Sequence, residues 1–230
     1  MGSTPELVQR IDKIESLCKD RSVLHLGCTN WPYTKEAIDD GSLLHFRLGE
    51  AASELYGFDF DREGIETLKV AGVENLYRAD LEDLGAVDLD RRFDVIVAGE
   101  MIEHLTNPGL FLRGIRRFMD RDSLLVITTV NAYCGMRFVQ YALRGRGGIA
   151  EPVHPDHVAY YSYRTLRLAV EKEGFDVEEF YFYDLGREHR PHNPKIYNLV
   201  NDVLVSVSKQ LSDGVIAVCR IKAGSARSDL

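Results

Sequence analysis

The sequence predicts an α/β fold in which helices cover both faces of a single, mostly parallel sheet. Short apolar runs alternate with amphipathic segments along the chain, and repeated strand–helix units produce this order. Each run is about as long as one buried strand. The composition, with 45% hydrophobic and 28% charged residues, is that of a globular protein. A chain of 230 residues can bury a core without disulfides or a structural metal.

Seven apolar runs predict the strands. In chain order they cover residues 22–26, 54–58, 75–78, 93–98, 123–128, 177–183 and 215–221. Right-handed crossovers between parallel strands then lead to a doubly wound sheet. The last run follows the preceding helical segment after only Ser212-Asp213-Gly214. This short approach predicts that the seventh strand runs antiparallel to its neighbours.

Helical spacing of apolar residues predicts the elements between the strands. One helix is expected within residues 5–19, and another near residues 196–207. Three more should follow Asp61, Asn107 and Ser162, whose side chains are of the type that accepts hydrogen bonds from the first turn of a helix.

We expect a single domain over residues 1–222. Its N-terminal helix falls within residues 1–20, and two insertions, at 144–160 and 184–210, are expected on the substrate side. Residues 223–230 are small and polar, which predicts a flexible tail.

Charge and cysteine usage limit the classes of partner. Asp and Glu number 36 against 28 Lys and Arg, so the net charge is -8, which argues against nucleic acid as a partner. The start of the chain is polar and no apolar run approaches 18 residues, so we expect neither a signal peptide nor membrane insertion. Four scattered cysteines predict reduced thiols and a cytoplasmic location; they are Cys18, Cys28, Cys134 and Cys219.

Carboxylates follow three of the first four predicted strands. They are Asp59, Asp80 and Glu100, and ligands of a doubly wound sheet bind beyond the carboxyl ends of its strands. A carboxylate after the second strand can accept hydrogen bonds from ribose hydroxyls, and one after the third can accept from an adenine amino group. Gly27, after the first strand, lets the backbone approach a ligand closely. These residues predict a nucleoside site, with helix capping as the alternative role of Asp59 and Asp61.

The order of these motifs resembles that of the class I S-adenosylmethionine-dependent methyltransferases, over roughly residues 20–183. The matching stretches are residues 23–28, 57–59, 79–81, 93–100, 102–105 and 127–131. The resemblance implies a Rossmann-like fold and S-adenosyl-L-methionine as the cofactor. It also implies roles for individual residues: Gly27, Cys28 and Thr29 near the methionine part, Asp59 on the ribose, Phe60 against the adenine, Asp80 and Leu81 around the adenine edge, and Glu100 near the cofactor.

The first loop departs from the family pattern. The family has an acid two residues before its first glycine, followed by two more glycines, whereas this chain has His25, Thr29 and Trp31 at those places. The segment 31–52 before the second strand is also longer than the family's. We therefore expect the cofactor to be held in a modified way or more weakly. The missing GxGxxG pattern equally argues against a dehydrogenase.

Glu100, Glu103 and His104 stand at spacings that would share one face of a helix. Two carboxylates and an imidazole so placed can bind a divalent metal, and His154 or His157 could complete the set. The pattern resembles the metal motif of small-RNA 3′-terminal 2′-O-methyltransferases and of ubiquinone-pathway O-methyltransferases. Metal-free family members also carry Glu-His here, with the histidine facing the substrate. We favour this metal-free arrangement and assign no metal ligand, so a divalent metal remains the alternative.

The sequence favours a hydroxyl group on a small metabolite or sugar as the methyl acceptor. The Asn/Asp-Pro-Pro-Tyr/Phe motif that accompanies amino methylation in this family is absent after the fourth strand. His104 and His157 are instead candidate general bases for a hydroxyl proton. The alternatives are a metal-assisted RNA 2′-O-methyltransferase and a non-catalytic nucleoside-binding scaffold.

Overall fold

An eight-stranded mixed sheet runs through the structure, a computed structural model that describes residues 5–144, 154, 156–184, 186 and 190–224. Its strands are β1 (Glu6–Val8), β2 (Ser22–Leu26), β3 (Glu54–Asp59), β4 (Leu76–Arg78), β5 (Phe93–Gly99), β6 (Met119–Val130), β7 (Phe175–Tyr183) and β8 (Gly214–Ile221). Their spatial order is β1-β7-β8-β6-β5-β2-β3-β4. Strand β8 is antiparallel to both of its neighbours, and every other pairing is parallel. The predicted fold class is confirmed, including the antiparallel last strand.

Eight α-helices are described around this sheet. They are α1 (Arg10–Cys18), α2 (Thr34–Asp39), α3 (Leu44–Ala51), α4 (Arg62–Val70), α5 (Pro108–Gly114), α6 (Gly135–Arg144), α7 (Tyr163–Lys172) and α8 (Lys195–Val207). Asp61, Asn107 and Ser162 cap α4, α5 and α7 as predicted, each accepting from backbone amides of the first turn. Among the described residues, no helix has the length and apolarity needed to cross a bilayer.

The prediction of seven strands was wrong by one. Residues 6–8, expected to be helical, form β1 and pair in parallel with the outer side of β7. The backbone groups of an unpaired edge strand need partners, and β1 supplies them. The helix predicted within 5–19 therefore starts only at Arg10.

Alternate residues of the central strands pack into two separate apolar clusters. Leu24, Leu26 and Ile96 face one cluster, and Val23 and Val95 face the other. Both faces of β2 and β5 are thereby buried, because a parallel sheet carries helices on each side. This explains why these strands appear in the sequence as continuous apolar runs.

Parts of the predicted insertions and tail lie outside the described residues. In the 144–160 segment these are residues 145–153 and 155. The 184–210 segment contains α8, and residues 185 and 187–189 are outside. The predicted tail lies outside from residue 225 onward.

Two glycine substitutions are expected to change stability in opposite directions. A Cβ at Gly214 would lie 1.9 Å from Cζ of the buried Tyr183, so Gly214→Ala should lower the free energy of unfolding by ~1–3 kcal/mol through overpacking. A Cβ at Gly49, in α3, would meet nothing nearer than 3.7 Å, so Gly49→Ala should raise it by ~0.5–1 kcal/mol. Urea unfolding measures both; a Gly214→Ala variant as stable as wild type would contradict the packing described here.

Candidate active site

A cleft of about 1030 Å³ opens at the carboxyl ends of the parallel strands. It brings together most of the residues that the sequence singled out. Those on its lining are Gly27, Thr29, Asp59, Phe60, Asp80, Leu81, Glu100 and His104. The cleft lies where ligands of a doubly wound sheet are expected.

The loop after β2 is built on Gly27. This residue has a φ of 70°, a left-handed conformation that glycine adopts at little cost, and its amide donates to the carbonyl oxygen of Phe58 on β3. Cys28 corrects the sequence prediction. Its side chain is fully buried against Ala37, Leu43 and other apolar residues, because the turn at Gly27 directs it away from the cleft.

The carboxylate of Asp59 fastens this loop to the end of β3. Its Oδ2 accepts from both the amide and the hydroxyl of Thr29, each at 2.9 Å, and its Oδ1 accepts from the amide of Asp61 at 2.9 Å. A carboxylate offers about four lone-pair positions, so roughly one remains on Oδ1 for a ligand. Helix capping is performed by Asp61, which accepts from the amides of Glu63 and Gly64.

A flat aromatic surface and an exposed acid lie beside Asp59. The Phe60 ring is 63% exposed, and the guanidinium carbon of Arg78 lies 5.0 Å from its centre. Asp80 follows β4 and accepts from the amide of Glu82 through Oδ1. An exposed ring next to a carboxylate provides a stacking face and a hydrogen-bond acceptor for a planar base.

A pair of buried histidines lies beside the cleft, with His25 on its lining. His25, where the family has an acid, places Nδ1 3.1 Å from Nδ1 of His45 on α3. Burial is the main cause that lowers the pKa of both: well below 6.5 for His25, where the neighbouring His45 and Arg10 add to it, and to about 4 for His45. Both imidazoles are therefore neutral at pH 7, and one donates to the other.

Glu100 and Glu103 turn away from the arrangement that their spacing predicted. Glu100 has a φ of 52°, and its Oε1 accepts from the hydroxyls of Thr128 and Tyr183. Glu103 is fully buried in a short 3₁₀ turn, Ile102–His104, and its Oε2 accepts from Thr129 Oγ1 at 2.8 Å.

The predicted single face with Glu100, Glu103 and His104 is therefore wrong. The left-handed backbone at Glu100 ends β5 abruptly, so no α-helix places the three side chains together. Burial, and then the charge of Glu100, raises the pKa of Glu103 well above that of an ordinary carboxyl group.

Three histidines meet at the side of the cleft instead. The ring centre of His104 lies 4.7 Å from that of His157 and 5.7 Å from that of His154. His104 and His154 line the cleft, and the ring of His157 packs edge-on against that of His104. Burial and the other imidazoles lower the pKa of His104, and that of His157 to about 4.

A second cavity, of about 680 Å³, approaches the histidine cluster through Tyr160. Tyr160 lines it, and the Tyr160 ring centre is 5.9 Å from that of His157. Most of its wall is aromatic or aliphatic and comes from α6, α8 and the segments beside them, including Tyr133, Phe138, Tyr141, Leu204 and Leu211. The cavity can therefore take an apolar group close to His157.

Comparison with known proteins identifies the family. A family model described as "Methyltransferase domain" matches residues 7–179. This chain belongs to the S-adenosylmethionine-dependent methyltransferases. The enzyme's cofactor is S-adenosyl-L-methionine, so the predictions of an enzyme and of its cofactor are confirmed, and the scaffold alternative is set aside.

Individual relatives are distant. The methyltransferase is 22% identical over 219 residues to a protein of Pseudomonas aeruginosa named ubiquinone biosynthesis O-methyltransferase. The aligned region covers 90% of this chain and 84% of that protein. A SAM dependent methyltransferase from Archaeoglobus fulgidus superposes with a TM-score of 0.59 at 17% identity, over 92% of this chain and 91% of the other. Magnesium protoporphyrin IX methyltransferase from Synechocystis PCC 6803, crystallised with bound SAH, superposes with a TM-score of 0.54 at 12% identity. The superposition covers 93% of this chain and 82% of the other. The two structures show a shared fold.

Two residues on or beside the lining of the cleft were not predicted from the sequence. His45 lies in the long segment before β3, where no element was predicted, and Tyr183 reaches Glu100 from the end of β7. Each is far from its partner in the sequence, and the fold brings the two side chains together. The one indication in the sequence was Tyr183 itself, a large aromatic residue at the end of a predicted strand.

The buried histidine pair should make stability depend on pH. In the unfolded chain His45 takes up a proton near its ordinary pKa of 6.5, but in the folded enzyme only near 4. The unfolded state therefore binds more protons between these values, and stability falls as the pH drops from about 6.5 towards 4. At pH 5 this amounts to about 2 kcal/mol.

We expect His45→Asn, which keeps a hydrogen-bonding group near Nδ1, to lose about 2 kcal/mol less between pH 7 and pH 5 than wild type does. Urea unfolding at both pH values measures this. Leu48→Ala, a buried change on the same helix, is the control and should lower stability equally at both. The same pH dependence in His45→Asn and wild type would contradict the neutral buried pair.

Proposed function

We propose that this methyltransferase methylates a hydroxyl group on a small acceptor with a largely apolar body. The observation that carries the proposal is the position of His104, which lines the cofactor cleft and contacts His157, next to the apolar second cavity. A hydroxyl oxygen must lose its proton when it accepts a methyl group, and neutral imidazoles can take that proton. The relatives named ubiquinone biosynthesis O-methyltransferase support oxygen as the acceptor atom.

The lining of the second cavity favours an aromatic or aliphatic acceptor body over a bare sugar. Sugars require a dense set of polar partners, and each unpaired buried polar group costs free energy. Most residues of the described wall are apolar, and tyrosine, phenylalanine and leucine supply six of its fourteen residues. A hydroxylated aromatic metabolite therefore fits this cavity better than an unsubstituted sugar.

RNA is a poorer candidate because the described part of the cleft is acidic. Its lining includes eight carboxylates and only two guanidinium groups, Arg10 and Arg47; the carboxylates are Asp12, Asp59, Asp80, Glu82, Glu100, Asp156, Asp184 and Asp213. A phosphate backbone would be repelled by this excess.

The residues present fit S-adenosyl-L-methionine. The proposed holders are the backbone at Gly27 and Thr29, the remaining lone pair on Asp59, the exposed face of Phe60, and Asp80. When bound, the cofactor supplies a methyl group on a positively charged sulfur that needs no further activation.

The chain's own contribution is to position the acceptor and to remove its proton. Holding two reactants in line is worth effective molarities of ~10⁵–10⁸ M. His104 accepts the hydroxyl proton, since its lowered pKa keeps the imidazole unprotonated near neutral pH. A well-placed general base typically adds ~10²–10⁴-fold.

Asp59→Asn should weaken binding of S-adenosylhomocysteine by tenfold or more, a loss of at least ~1.4 kcal/mol, because a neutral amide replaces a charged acceptor. Calorimetry at pH 7 measures it. Asp61→Asn is the matched control: asparagine caps helices about as well as aspartate, so cofactor affinity should stay the same. Unchanged affinity in folded Asp59→Asn would remove this residue from the cofactor site.

His104→Ala should lower turnover ~10²-fold or more at unchanged cofactor affinity, since the base acts only in the chemical step. The assay follows release of S-adenosylhomocysteine, with chelator present, over a panel of hydroxylated aromatics, sugars and RNA oligonucleotides. Val158→Ala, an exposed change beside His157, is the control and should retain full turnover. Full turnover in His104→Ala would show that His104 is not the general base. Methylation of RNA oligonucleotides alone would contradict the proposed class of acceptor.

A further inference from the structure

The histidine cluster formed by His104, His154 and His157 has the geometry of a ligand set. One nitrogen from each ring lies within 4.8 Å of the other two. Three nitrogens bound to a tetrahedral Zn²⁺ at 2.0–2.1 Å would be ~3.3 Å apart. A small rotation of each side chain would shorten the nitrogen–nitrogen distances from within 4.8 Å to this value. His104 and His154 are exposed, so their rings have room to rotate.

We propose that His104, His154 and His157 form a binding site for a divalent transition-metal ion, with Zn²⁺ or Co²⁺ as the best match. Three neutral imidazoles without a carboxylate suit Zn²⁺, Co²⁺, Ni²⁺ or Cu²⁺, whereas Mg²⁺ and Ca²⁺ need oxygen ligands. This ligand set differs from the carboxylate-rich one that the Glu100, Glu103 and His104 spacing would give.

Each of the two glutamates has one carboxylate oxygen engaged outside the histidine cluster. Glu100 accepts from Thr128 and Tyr183, and Glu103 accepts from Thr129 on β6. Among the described residues, the side chains whose ligand atoms converge within 4.8 Å are those of the three histidines, and neither glutamate belongs to this group.

The two segments that carry the histidines are held together by the backbone. The carbonyl oxygen of Glu103, next to His104, accepts from the amides of Val158 and Ala159 at 2.9 and 3.2 Å. On the other side, the amide of His157 donates to the carbonyl oxygen of His154. The three rings are thus brought together without a metal, so binding has little ordering entropy to overcome.

Asp156 is placed to orient one ligand. Its Oδ2 lies 3.8 Å from Nδ1 of His154, and its amide donates to the same nitrogen at 3.3 Å. In that hydrogen bond Nδ1 is the acceptor, so metal binding through Nε2 requires the other tautomer, in which the N–H at Nδ1 faces the Asp156 carboxylate. Carboxylates in this position commonly fix the ring of a metal-bound histidine.

Three protein ligands leave one position of a tetrahedral site open. Because His104 and His154 line the cleft, that position is accessible to the oxygen of water or of a hydroxylated ligand. A coordinated imidazole has no lone pair left for a proton, so metal binding and proton removal by His104 exclude each other. The metal site itself does not depend on the proposed acceptor.

The test uses the full chain, freed of metal by chelator and then titrated with Zn²⁺ by calorimetry and with Co²⁺ by visible absorption. We expect one equivalent to bind and Co²⁺ to give the intense bands of a tetrahedral site. His104→Ala, His154→Ala and His157→Ala should each weaken binding at least ~10-fold, and Asp156→Ala ~10-fold through loss of orientation. Val158→Ala should bind as wild type does.

Absence of saturable binding by wild type, or binding that survives all three histidine substitutions, would overturn the proposal. The four cysteines are buried, so binding that survives would indicate adventitious surface ligands. Circular dichroism of each variant separates loss of a ligand from loss of the fold. Since no methyl transfer is measured, failure here leaves the proposed acceptor standing, and failure of the acceptor screen leaves the metal site standing.

Discussion

One carboxylate, that of Asp59, holds the floor of the cleft together. It ties the loop after β2 to the end of β3 through Thr29 and to the start of α4 through Asp61. In a glycine-rich loop the backbone itself packs closely, and a side chain at position 29 would occupy part of that space. Here the Thr29 hydroxyl is one of the donors, and its methyl group packs beside Gly64 on α4. The glycine that permits close packing between the loop and α4 is therefore Gly64 on the helix, because a Cβ there would lie 2.7 Å from the Thr29 methyl carbon.

The sequence was sufficient for most of the fold because parallel strands buried on both faces appear as uninterrupted apolar runs. The strands β2 and β5 are the clearest cases, and Asp61, Asn107 and Ser162 marked helix starts by local hydrogen bonding. The strand β1 was missed because its three residues are ordered by pairing with β7, far away in the chain. Nothing in three residues can signal such a partner.

Position in the cleft was predictable where the side chain stands directly after a strand, as with Asp59 and Asp80. It was not predictable where the partner comes from elsewhere. His45 became visible as the partner of His25 only with α3 in place. The spacing of Glu100, Glu103 and His104 misled because it assumes a helix, whereas a left-handed residue and a 3₁₀ turn follow β5. The same turn is what carries His104 to His154 and His157.

The antiparallel strand β8 sets an order of assembly for the chain. It lies between β6 and β7, and β1 is attached to the sheet only through β7. During synthesis β1 is made first, yet its place in the sheet exists only after β8, close to the end of the chain, has inserted. Such distant pairings form slowly because loop closure precedes their stabilising contacts. On the ribosome, the strands from β2 to β6 can pair early, whereas Glu6–Val8 must wait until β7 and β8 have been made.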